Sequence, residues 1–218
     1  MAKSKKGRET KARIYEASKY LFYHYGYRKT TLLKISERAD VPVGLISYYF
    51  KSKDHIVSMI YEDFMGKIDD LIEASCKNQI DNAILYHAVL SRVYYQIILS
   101  DPNNTRFYRG FLKQKSNNKV LHSLIGKRYL AYLKDFNIKI NDTDFEIILN
   151  ADFGARREFF LYYFDHPDEI TIQSVVTFTN GVVPRLLKLN QEKIDAILEK
   201  SYHLYKTLDF EDIVFLSN

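Results

Sequence analysis

The chain has 218 residues, 46% of them hydrophobic and 27% charged, ordinary values for a soluble protein with a buried core. No run of about 18 apolar residues occurs, so no membrane-spanning helix is expected. The basic start, "MAKSKKGRETKAR", has no apolar stretch behind it and does not read as a secretory signal. A single cysteine, Cys76, cannot form an internal disulfide, which fits a reducing cytoplasm. The net charge of +5 divides unevenly. Residues 1–53 carry 13 Lys/Arg against 4 Asp/Glu, and residues 54–218 carry 19 against 23, so a basic head joins a mildly acidic body. Such a head suits a polyanion, nucleic acid before an anionic membrane surface.

The predicted elements are all helices. Ile14, Ala17, Ser18, Leu21, Phe22 and Tyr25 recur at helical spacing and form one apolar stripe, which Gly26 ends. The arm "KSKKGR" ahead of it reads as a disordered tail, able to lie along phosphate or in a minor groove. Thr30 or Thr31 can cap a short helix over about residues 31–39 with an inward stripe of Leu32, Ile35 and Ala39. "ADVPVG" breaks the pattern, and a second short helix follows over about 43–49. Ser52 caps a long helix to about residue 78, with Asp54 in its first turn. Further helices are expected near 81–100, 104–115, 118–136, 143–165, 168–189 and 191–208, punctuated by "SDPNN", "NIKIND" and "FDHPDE". The expectation is an all-α fold of about nine to ten helices. A head of residues 1–53 precedes a helical body of residues 54–218.

Two short helices joined by a tight turn, the second too short to fold alone, describe a helix-turn-helix. Ile46 and Phe50 point inward, and Val43, Ser47 and Tyr48 face out. The stretch "YGYRKTTLLKISERADVPVGLISYYFKSKDHIV" resembles the N-terminal signature of the tetracycline-repressor (TetR) family of bacterial transcription regulators. Gly26-Tyr27, Thr30-Thr31, Ile35-Ser36, Val41, Gly44, Ile46, Tyr48, Tyr49, Phe50 and Lys53 carry that likeness in register. The resemblance implies a three-helix DNA-binding head, a helical ligand-binding body and a homodimer. It places Thr31, Tyr48 and Lys53 on phosphate, Val43, Gly44 and Ser47 near bases, and Tyr49 near the backbone or a base edge. Lys34 or Arg28 can assist. Ser47 stands where the family usually has tyrosine. Val43 and Leu33 are apolar where polar readers often sit. The second helix holds no Arg, Asn or Gln, so the bidentate guanine and adenine pairings are absent from it. Readout is then expected from Ser47, from Val43 on thymine methyls, and from DNA shape.

The body is rich in aromatic residues, as a cavity for a small hydrophobic or aromatic effector would be. Tyr94, Phe107, Phe111, Tyr129, Tyr132 and Phe153 are candidate lining residues. Arg156 either pairs with Asp152 at i, i+4 or, left free, favours an anionic ligand. Small residues Ala151, Gly154 and Ala155, with the stripe of Val175, Thr179 and Val182, are the candidate dimer surface. Six scattered histidines match no metal-ligand spacing, and no phosphate-cradling glycine loop or nucleophile–base pair is present. No cofactor, metal or enzymatic activity is expected. The favoured function is a ligand-responsive DNA-binding regulator, most simply a repressor released from a palindromic operator. The alternative is an architectural DNA-binding protein of the same fold with no effector.

Overall fold

The computed structural model describes residues 5–114 and 117–216. Ten α-helices and one 3-10 turn make up these residues, with no strand among them. In order they are α1 (Lys5–Lys29), α2 (Leu32–Ala39), α3 (Val43–Phe50), α4 (Lys53–Ser75), α5 (Ala83–Ser100), α6 (Pro102–Leu112), α7 (Asn117–Asp135), α8 (Asp142–Asp165), α9 (Ile172–Leu186) and α10 (Gln191–Lys206). Helix α1 already begins at Lys5, so the last four residues of the basic arm are helical rather than a loose tail. The arm's first two residues lie outside the described part.

The caps explain the boundaries. Asp101 Oδ1 accepts from the amides of Asn103 at 2.7 Å and Asn104 at 2.8 Å, and Pro102 takes the first helical position, so α6 starts two residues before the expected point. Asn141, Thr171 and Asn190 cap α8, α9 and α10 in the same way. Helix α9 ends at Leu186, two residues past Pro184, and Lys188 follows in the left-handed region with φ 58.

The helices form two compact units, which do not follow a division at residue 53. The first comprises residues 1–64, 98–120 and 214–218, and its core is a nest of rings. Phe107 packs edge-on to Phe22 at 5.2 Å and Tyr27 meets Phe111 at 5.5 Å, while Phe215 from the far end of the chain lies 5.1 Å from Tyr61. The second comprises residues 65–97 and 121–213. Its core joins α5, α8, α9 and α10 through Ala88, Val89, Leu149, Phe160, Val176 and Leu198, all buried.

Candidate nucleic-acid interface and effector cleft

The first unit builds a tight two-helix corner. Thr31 caps α2, its Oγ1 accepting from the Lys34 amide at 3.3 Å. Thr30 is instead a core residue, its hydroxyl held between the carbonyls of Leu21 at 3.0 Å and Gly26 at 2.9 Å. Asp40 ends α2 with φ 51, a left-handed conformation that Asp tolerates better than most side chains. The turn is then pinned twice. The Val41 amide donates to Ser36 O at 3.1 Å, and the Ser36 hydroxyl donates to Val41 O at 2.7 Å.

Helix α3 is anchored by Ile46 and Phe50, both fully buried. Val43, Gly44, Ser47 and Tyr48 are exposed together, and Tyr49 is half-buried with its ring edge-on to Tyr48 at 5.0 Å. Tyr48 is 76% exposed, unusual for so large a ring. Leu45 and Leu33 are exposed as well. A Cβ added at Gly44 would meet nothing within 4 Å, so the chain itself does not require glycine there. An approaching backbone or base would.

Lys53 has an internal task that the sequence pattern did not reveal. Its Nζ donates to the carbonyls of Tyr27 and Thr30, both at 3.1 Å, and lies 4.0 Å from the Tyr27 ring centroid. Burial lowers its pKa, and neighbouring Asp54 opposes that. Two of its three donors are committed within the chain. Lys34 is exposed and donates to Lys29 O at 3.1 Å.

In the second unit, Tyr129, Tyr132 and Arg156 come together, with His87 and Asp152. Tyr129 OH donates to Asp152 Oδ2 at 2.5 Å, and Arg156 Nε donates to the same oxygen at 2.8 Å. Arg156 also reaches the Thr179 carbonyl at 3.2 Å. Burial works against its charge, but the Asp152 carboxylate outweighs it and holds the guanidinium pKa well above the usual value. The Asp152 pairing therefore takes up Arg156. Asp152 Oδ1 and Asn180 Nδ2 stay buried without a hydrogen-bond partner. His87 Nδ1 lies 2.6 Å from Tyr132 OH, and burial pushes its pKa well below the ordinary histidine value, with the Arg156 and Arg128 charges adding to that. His87 also lines a cleft of about 370 Å³ walled by Ala83, Tyr86, Arg128 and Ala131. Asp69 fastens two of those walls, accepting from Arg128 Nη2 at 2.8 Å and from Tyr86 OH at 3.0 Å.

The remaining candidates scatter. Tyr94 and Phe153 are buried in the second unit. Phe107 and Phe111 belong to the ring core of the first unit, where close packing against Phe22 and Tyr27 makes them structural rather than cavity-lining.

Comparison with known proteins follows the head closely. The sequence model described as "Bacterial regulatory proteins, tetR family" matches residues 14–60, which span most of α1, all of α2 and α3 and the start of α4. The match to the tetR family lies in this head. The HTH-type transcriptional regulator TtgR of Pseudomonas putida is 32% identical over 92 residues, 42% of this chain and 44% of that protein. YttP of Bacillus subtilis, a probable HTH-type transcriptional regulator, is 42% identical over 64 residues, 28% of this chain and 31% of that protein. The chain thus matches less than half the length of these curated relatives. The crystal structure of RolR in complex with resorcinol superposes with a TM-score of 0.60 at 16% identity, covering 90% of this chain and 96% of that one. That likeness concerns the fold alone.

The candidate dimer residues separate into two kinds. Ala151 and Gly154 are exposed on α8, in one stripe with Ile147 and Tyr162, and Ala155 is half-buried beside them. Val175 and Thr179 are fully buried within the chain, so no second subunit reaches them. The Thr179 hydroxyl caps no surface. It donates back to Val175 O at 2.9 Å. Val182 is half-buried. No helix among the described residues is long and apolar enough to cross a membrane.

Proposed function

We propose that the chain is a DNA-binding transcriptional regulator, a repressor that leaves a palindromic operator when a small hydrophobic or aromatic effector binds its helical body. The observation that carries this reading is the surface of α3, where Val43, Gly44, Ser47 and Tyr48 stand exposed over the buried Ile46 and Phe50. A basic head, with 13 Lys/Arg against 4 Asp/Glu over residues 1–53, supplies the phosphate attraction. Thr31, Tyr48 and the remaining donor of Lys53 hold phosphates, with Lys34 assisting, and Tyr49 steadies Tyr48. The names of TtgR and YttP support regulation as the role.

The protein acts as a cytoplasmic homodimer, and two-fold symmetry sets two α3 helices about 34–36 Å apart on a near-palindrome. The effector enters the cleft lined by His87 and reaches Tyr132 and Tyr129 beyond it. The apolar rings with polar tips support an aromatic molecule, as does resorcinol in RolR. The effector works only through its differential affinity for the DNA-competent and released states. A swing from 99% to 1% competence needs about 5.5 kcal/mol.

The composition of α3 favours a second reading, a broadly binding architectural protein. The helix, "VGLISYYF", lacks the side chains that pair bidentately with purines. Fluorescence anisotropy of the protein with upstream fragments of its own gene and with random duplex, across salt, separates the two. A regulator gives a specificity ratio far above one, and an architectural protein a ratio near one. Tyr48→Ala is expected to weaken operator binding roughly ten-fold or more without lowering the melting temperature. Unchanged affinity in that variant, with no salt dependence in the parent, would sink both readings.

A further inference from the structure

Arg92 on α5 is 1% exposed. Burying a cation costs several kcal/mol unless an anion offsets it. Two neighbouring arginines of the second unit obey this rule, with Arg156 on Asp152 and Arg128 on Asp69, each at 2.8 Å. Arg92 does not. Its Nε donates to Ser201 Oγ at 2.9 Å and its Nη1 to Gln173 Oε1 at 2.7 Å. Its Nη2 donates to Thr177 Oγ1 at 2.9 Å and to Leu198 O at 3.1 Å. Every one of these acceptors is neutral, and no carboxylate pairs with Arg92 among the described residues. Burial lowers its pKa to about 10, and the attraction of nearby Tyr202 and Glu199 offsets that only in part.

The guanidinium is not sealed in the core. It lines a cleft of about 600 Å³ formed by α5, α9 and α10, together with Ser174, Phe178, Arg185 and Tyr202. Two carboxylates share the cleft, and both are exposed and engaged. Glu199 lies 3.0 Å from His203, and Asp195 lies 3.5 Å from Arg185. The cleft shares no lining residue with the one at His87.

We propose that this cleft binds the oxyanion of a small molecule, a carboxylate or phosphate group, with Arg92 as its charge partner. Gln173 Oε1 occupies the position of one anionic oxygen. When the half-buried Gln173 side chain swings aside, both hydrogens of Nη1 become available, and a charge-assisted bond replaces a neutral one. Ser174 and Thr177 add hydroxyl donors from the same face of α9. The site stands independently of the DNA-binding reading.

The test is thermal denaturation of the full-length protein in sodium phosphate or sodium acetate against sodium chloride, at equal pH and ionic strength. A saturable rise of about 2–4 °C is expected with at least one of the two oxyanions. The rise should vanish in Arg92→Met. It should vanish also in Thr177→Asp, which supplies an internal carboxylate to Arg92 and decides the matter alone if Arg92→Met does not fold. A rise with acetate only assigns a carboxylate, and with phosphate only a phosphate. No saturable rise in the parent, or the same rise in Thr177→Asp, overturns the proposal.

Discussion

At Gly26 the backbone takes φ 74 and ψ 174 in the midst of helical neighbours. That region is nearly closed to side chains, because a Cβ would crowd the backbone carbonyls. The break turns Tyr27 into the core and lets α1 hand the chain to α2. Arg106 fastens the same corner from α6, donating through Nη2 to Tyr23 O at 2.6 Å and His24 O at 2.7 Å. Space is not the obstacle to a larger residue, since the nearest side-chain atom to an added Cβ is 3.5 Å away. Conformation is. Gly26→Ala is therefore expected to cost about 1–3 kcal/mol, read as a lower urea midpoint with unchanged denaturant slope. At Lys53 the constraint is equally hidden. The family resemblance implies a phosphate contact for it, yet its carbonyl partners on Tyr27 and Thr30 are invisible to spacing, because they lie 26 and 23 residues away in sequence.

Helices α5, α7, α8 and α9 share one polar knot, in which His87, Tyr129, Tyr132, Asp152, Arg156 and Thr179 meet. Periodicity shows that these side chains face inward but cannot say which groups they meet. His87 is the titratable member with a consequence near neutral pH. Tyr132 OH is bonded to it, the Tyr129 ring centroid lies 5.5 Å away, and the Arg156 and Arg128 charges oppose its protonation. The folded chain therefore refuses a proton that the unfolded chain accepts near the ordinary histidine pKa of about 6.5. Stability rises with pH through that window and is lost as pH falls below it, by up to about 1.4 kcal/mol per pH unit. Urea midpoints from pH 7.5 to 5 should show this slope, and His87→Gln should flatten it. An equal slope in the variant would assign the loss to other groups.

For the whole molecule, the exposed α8 stripe of Ile147, Ala151, Gly154 and Tyr162 is the surface that a second copy is proposed to cover. Gly154 sits in a helix with no atom within 4 Å of an added Cβ, so Gly154→Glu leaves the subunit intact and improves local helix propensity by roughly 0.5–1 kcal/mol. It is expected to yield monomers in sedimentation velocity and to lower operator affinity by about 100-fold, because two half-sites are no longer engaged as one. A dimer of unchanged affinity in this variant would move the interface elsewhere.

Much of this architecture is legible from local chemistry. The Thr31 cap, the glycine break at residue 26 and the helix-turn-helix spacing depend on residues within one or two turns, so the chain writes them plainly, whereas the caps at Asp101 and Thr171 start α6 and α9 away from their expected positions. The tertiary structure alone decided which core each ring joins. Phe107 and Phe111 carry the same periodic signature as Tyr129 and Tyr132, yet Phe215, more than 100 residues on, helps close the core around Phe107. It alone also showed that Arg156 has its carboxylate and Arg92 has none. Hydrophobic period reports the direction of a side chain relative to its own helix, whereas pairing and burial depend on what other helices bring to the same place.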